Sequence, residues 1–248
     1  MRQKRKLLKG ATYHVTARVN NSVFYFEDNR YKQLLTNIVE KAHEKYHFEM
    51  HAYSIMDNHA HFLIKPTGQD EEELSRIMQW ILSDFARIYN DINQTAGHVW
   101  YDRFKSKIIQ DDDHWNTVFK YIVENPVRAK KIKNPVNYQF NSLAKIRDKM
   151  ESGEEYPMFD ELPKYLKSKI LSILEYFEDL GSKTPESLTS DNSNTETRWD
   201  HRLSFHSAHS KWCRFSDKRK NDKKKYKRKY KSMLKARIEN NLKKALAG

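Results

Sequence analysis

Between Gly10 and Ile109 the spacing of apolar residues switches repeatedly between a period of two and a period of about 3.6, which predicts strands and helices interleaved in one domain. Tyr13, Val15 and Ala17 alternate with His14, Thr16 and Arg18, so a strand over Ala11–Val19 has one face to pack and one polar face. Asp28 or Asn29 can cap a helix that carries Leu34, Leu35, Ile38, Val39 and Ala42 through about Lys45. Phe48–Met56 and His59–Lys65 flank Asp57 and Asn58 and predict a hairpin, although the Asn-Gly of a tight turn is missing. Asp70 and the glutamates after it suit the positive end of a helix dipole, and Leu74, Ile77, Met78, Ile81, Phe85 and Ile88 continue that helix, with Trp80 beside the stripe and assigned to the core. Val99–Ile109 predicts a strand or hairpin. Asp111, Asp112 and Asp113 open a helix bearing Trp115, Val118, Phe119 and Ile122, which runs to about Asn125, where Pro126 sets a boundary.

Past Met150, Pro163–Leu180 predicts one more helix with a stripe of Leu166, Ile170, Ile173, Leu174 and Phe177. The polar run 182–197 predicts a disordered linker, and Leu234, Ile238, Leu242 and Leu246 recur every four residues near the end. The expected organisation is a domain over 1–150, a helical extension over 151–181, the linker, and a basic tail over 198–248. No internal repeat stands out.

Charge sharpens this division. The net charge is +13 over 248 residues, but residues 1–150 carry +6, residues 151–197 carry −7 and residues 198–248 carry +14. The run from Lys218 to Lys231, which includes Arg219, Lys224, Lys227 and Arg228, attracts polyanions without regard to sequence, and nucleic acid leads the candidate partners over anionic membrane. A charged fraction of 32% and a mean hydropathy of −0.94 are too polar for a compact globule throughout. No stretch approaches the ~18 apolar residues of a membrane helix, and the basic start has no apolar signal core behind it, so an intracellular, cytoplasmic protein is expected, with no membrane partner. Cys213 is the one cysteine, which excludes an intramolecular disulfide. His201, His206, His209 and Cys213 fit no familiar zinc spacing, and a basic arm is the better reading of that region.

Two motifs carry candidate chemistry. His59 and His61 lie two apart on a strand, so both imidazoles face one way and can reach one ion, though such a pair is also an ordinary polar strand pattern. Tyr121 and Asn125 are four apart on a helix and share a face; a core-edge tyrosine and a helix-terminal asparagine before proline would look the same.

With their surroundings the two motifs become specific. GATYHVTARVNNSVFYF near the start, HAYSIMDNHAHFLI around the histidines, VWYDRFKSKII and YIVENPVRA resemble, in consistent order over about residues 1–145, the single-tyrosine HUH transposases, and among them the REP-associated tyrosine transposases. The resemblance implies an α+β, ferredoxin-like (RRM-like) sandwich, an antiparallel sheet with helices mainly on one face. It makes His59 and His61 the HUH pair, Asn125 the third ligand of a divalent cation, Mg or Mn, and Tyr121 the nucleophile. It implies cleavage and rejoining of hairpin-associated single-stranded DNA through a 5′-phosphotyrosine, without a nucleotide cofactor; a homodimer is compatible with it. A phenol, with an ordinary pKa of about 10, needs such a polarised phosphate. Asp57 departs from the family, where proline often stands. His14, Arg18, Arg103, Lys105, Lys107 and Arg128, with Tyr101 and Phe104, are candidates to hold phosphates or stack on bases. A non-cleaving DNA- or RNA-binding protein on the same fold, and an HUH replication initiator, are the competing readings.

Overall fold

In the computed structural model the described residues are 7–20, 25–68, 70 and 72–182, with the side chains of 181 and 182 left out; the expected linker beyond 182 and the basic tail lie outside them. Alternation along the first segment forms β1 (Tyr13–Arg18), followed by α1 (Asn29–Tyr46), β2 (Glu49–Ile55), β3 (His59–Lys65), α2 (Glu73–Asn93) and β4 (Lys105–Ile108). The strands form one antiparallel sheet in the order β2-β3-β1-β4, the ferredoxin-like arrangement that the family resemblance implies. Of Val99–Ile109 only β4 and an isolated Val19–Trp100 bridge are extended, because Tyr101, Asp102 and Arg103 turn outward between them.

Register sorts the side chains. Tyr13, Val15 and Ala17 lie opposite Ile64, Phe62 and Ala60, and all six are buried. The apolar stripes of α1 (Leu35, Ile38, Val39, Ala42) and α2 (Leu74, Ile77, Met78, Ile81, Phe85) join them in one core. Trp80 sits at the rim of that core, packed edge-on to Tyr46. The other face pairs Thr16 with His61 and Arg18 with His59, and β4 adds Lys107 opposite His14 and Lys105 opposite Thr16.

Across this second face runs α3 (Asp112–Val123), capped by Asp111, whose side chain accepts the His114 N–H. Pro126 has no N–H to continue the ladder, so α3 ends at Val123 and a short α4 (Asn125–Arg128) restarts with proline in its first turn. Glu124, between them, keeps helical φ and ψ of −81° and −5°. The orphaned Val123 carbonyl accepts from the fully buried Asn141 Nδ2 at 2.7 Å, while Asn141 Oδ1 caps α5 (Ser142–Ser152). After the short α6 (Pro157–Asp160), the expected Pro163–Leu180 helix is α7 (Lys164–Ser182). Its Leu166, Ile170, Leu174 and Phe177 enter the same core as the sheet, and the Phe177 carbonyl accepts from Asn134. No helix among the described residues is long and apolar enough to cross a membrane.

Candidate active site

The site is built where β1, β3 and α3 meet. His59 and His61 project from the second face of the sheet, their ring centroids 4.9 Å apart. Tyr121, half-buried on α3, meets the His61 ring edge-on at 5.5 Å and the His14 ring at 5.9 Å. The Arg128 guanidinium lies over the Tyr121 ring, 5.5 Å from its centroid, and holds Glu124 at 3.4 Å. Asn125 opens α4 four residues after Tyr121, and the helical Glu124 between α3 and α4 keeps them on adjacent turns.

Both histidines have a partner at Nδ1. His59 Nδ1 lies 2.7 Å from Asn58 Oδ1, an oxygen that can only accept, so Nδ1 carries the hydrogen and Nε2 the lone pair. His61 Nδ1 lies 3.0 Å from His14 Nε2 and 3.2 Å from Thr16 Oγ1. Two imidazoles on one face are of the chemistry that suits a borderline cation such as Mn. Among the described residues no three His, Cys, Asp or Glu side chains are placed to share one ion.

Two polar clamps pin the tyrosine helix. At its start, Trp115 Nε1 donates to His51 Nδ1 at 2.9 Å, which leaves His51 Nε2–H to donate to Glu49 at 3.0 Å. The β-bulge between Met50 and Ala52 makes His51 the extra residue on β2. Burial pushes the His51 imidazole below its ordinary pKa despite Glu49. The second clamp lies beyond α4: Asp57, in the hairpin turn, pairs with Lys131 and with Lys32 of α1 at 3.1 Å. Burial raises the Asp57 pKa, but Lys131 and Lys32 outweigh it and hold the carboxyl below the usual range. Asp57, the family departure, thus ties the histidine hairpin to the segment following the tyrosine helix.

Of the other expected contacts, Lys105 and Lys107 are exposed on the edge strand of the histidine face, and Arg18 is half-buried opposite His59. Arg103 lines a cleft of about 510 Å³ with Gln79, Trp100 and Phe104 against α2. His14 is buried, at 8% exposure. Lys218, Arg219, Lys224, Lys227 and Arg228 lie outside the described residues. Sequence reasoning singled out Asp57 but passed over its partners Lys32 and Lys131, and also Thr16, Asn58 and His51; of those passed over, only Thr16, two from His14 on an alternating strand, and Asn58, beside His59, left a local signal.

The profile of the family described as "Transposase IS200 like" matches residues 8–125, which contain both histidines, the tyrosine and Asn125. A solved REP-associated tyrosine transposase bound to a REP hairpin superposes with a TM-score of 0.51 at 20% identity, covering 64% of this chain and 89% of that one. A Deinococcus radiodurans protein crystallised as a candidate transposase has 16% identity and a TM-score of 0.36, covering 50% and 97%. No curated protein matches the sequence. Residues 8–125 thus match the IS200-like transposase family, and they build the four-stranded sheet and the histidine–tyrosine face described above.

Proposed function

We propose that the chain is a strand transferase that cleaves and rejoins hairpin-associated single-stranded DNA through a 5′-phosphotyrosine on Tyr121, with a divalent cation held by His59, His61 and Asn125. The observation that carries this reading is the Tyr121 ring set edge-on against His61, 5.5 Å away, by a helix that crosses the histidine face. Support for a hairpin substrate comes from the solved relative described as bound to one.

In the cleavage step the Tyr121 oxygen bonds to phosphorus, the bond from phosphorus to the 3′ oxygen breaks, the phenol proton is lost, and the departing 3′ oxygen takes a proton. Arg128 over the ring favours the negative charge that grows on the phenol. Asn58 orients His59, and the clamps at His51 and Asp57 fix the tyrosine helix over the strand, so the nucleophile is pre-positioned. Lys105 and Lys107, side by side along the edge of the same face, offer a cationic track for the flanking phosphates. When bound, a divalent cation supplies Lewis-acid polarisation of the scissile phosphate. Rejoining reverses the step, with a 3′-hydroxyl attacking the phosphotyrosine, and needs no nucleotide cofactor.

The test is incubation with labelled hairpin DNA from the flanks of the gene, with Mn, Mg or chelator, followed by denaturing electrophoresis. A metal-dependent covalent adduct that disappears in Tyr121→Phe while DNA affinity persists is the expected result. DNA binding with no adduct in any metal would replace the enzyme with a non-cleaving binding protein on this fold.

A further inference from the structure

We infer that His14 is a positioning residue: its Nε2 accepts the Nδ1 hydrogen of His61 and thereby fixes His61 in the tautomer whose Nε2 lone pair can bind the cation. The inference rests on the reading of His59 and His61 as ligands and adds a residue that acts through one of them.

Strand register brings this about. Thr16 stands directly opposite His61, and His14 is two residues along β1 from Thr16, on the same face and diagonal to His61. The His14 ring leans over and stacks on His61, with centroids 5.1 Å apart and planes 28° apart, and its Nε2 comes to 3.0 Å from His61 Nδ1. A hydrogen bond between two neutral imidazole nitrogens needs one N–H and one lone pair. If His14 donates, the His61 hydrogen sits on Nε2 and that nitrogen cannot coordinate. If His61 donates, its Nε2 carries the lone pair. Thr16 Oγ1, 3.2 Å from the same Nδ1, can accept from it as well, and a His61 that binds a cation through Nε2 requires this second arrangement.

His59 has the same division of roles, settled there by an acceptor-only oxygen, Asn58 Oδ1 at 2.7 Å. On this reading the two histidines share one design, in which a protein partner holds the Nδ1 hydrogen and the lone pair is on Nε2. For His59 that partner is the preceding residue; for His61 it is a residue 47 positions away. His14 also touches the Tyr121 ring edge-on, so the same buried ring stands against both ligand and nucleophile. At 8% exposure it is covered, unlike the exposed Lys105 and Lys107 beside it, and it is placed to orient His61 rather than to meet a phosphate from solution.

The experiment uses the full chain, with Mn as the probe. Nitrogen NMR of histidine-labelled, metal-free protein reads the tautomers directly. His61 with its hydrogen on Nδ1 is expected, changing to a mixture in His14→Leu and keeping the wild-type form in His14→Gln, whose amide oxygen can stand where Nε2 stood. Mn affinity, followed by the paramagnetic resonance of the free ion, is expected to fall about 10–100-fold in His14→Leu, the usual cost of removing a partner behind a ligating histidine, and to recover largely in His14→Gln. A His59→Ala control separates the two ideas: Mn binding untouched by it refutes the ligand reading, and with it the inference that depends on it. Three results would overturn the inference while leaving the ligand reading intact. These are a wild-type His61 with its hydrogen on Nε2, Mn affinity unchanged in His14→Leu, or spin-echo detection of a third coordinated imidazole that vanishes with His14, which would make it a ligand itself.

Discussion

Asp57→Ala is the most informative single perturbation of the framework. It removes the partner shared by Lys32, whose side chain is 5% exposed, and Lys131, which is 30% exposed. Breaking a buried pair from one side typically costs about 3–5 kcal/mol, because an uncompensated charge stays behind. Here Lys32 keeps Asn29 Oδ1 at 3.2 Å and lies 5.1 Å from the centre of the Phe140 ring, and Lys131 turns to water, so the lower end, about 3 kcal/mol, is expected. With a urea slope of about 2 kcal/mol per molar, the unfolding midpoint should fall by about 1.5 M. Lys32→Met in the same background should recover part of the loss, since it removes the stranded charge, and the cycle should show a coupling of about 1 kcal/mol or more. The wild type should also lose the Asp57 contribution as pH falls from about 3.9 towards the depressed native value, and the variant should lack that component. A midpoint shift under about 0.3 M, with strictly additive single and double variants, would refute the clamp.

The remaining expectations concern pH, the nucleophile and the tail. His51 and His43 both titrate below their ordinary value because burial disfavours the charged ring, so below pH about 6.5 the unfolded chain takes up protons that the native one refuses; unfolding free energy should fall from there towards the native values, and His51→Gln should shallow the slope. Arg128→Ala, which removes the cation over Tyr121, should slow adduct formation about fivefold, from about 1 kcal/mol of cation–ring attraction, as read by single-turnover gels; an unchanged rate would deny Arg128 a part in the chemistry. Deleting residues 211–248 should weaken DNA binding and flatten its dependence on salt, and an unchanged salt slope would assign the tail another role.

Local pattern made much of this protein legible. Alternation in Tyr13–Arg18, the Asp28 and Asp111 caps and the stripes of α1, α2 and α3 depend on residues a few positions apart, and the elements form within a few residues of where they are expected. The same holds for the shared face of His59 and His61, a consequence of the two-residue strand period, and for the break at Pro126, a consequence of its missing N–H. The strand expected over Val99–Ile109 shrank to Lys105–Ile108 because strand pairing needs a partner edge, and after the Tyr101 N–H meets the Arg18 carbonyl the backbone bends at 102 and 103.

Tertiary structure decided everything that depends on register and on closing long loops. His14 carries no local mark that sets it apart from Thr16 or Arg18, yet the β1–β3 register puts its Nε2 on His61. Asp57 reads as a turn residue until Lys131, 74 positions later, and Lys32 reach it, and His51 reads as a polar strand position until the bulge sets it against Trp115. The physical reason is common to all three. A buried polar group must find its partner wherever the packed chain brings one, and that choice is made by the burial of the whole core, not by the residues on either side.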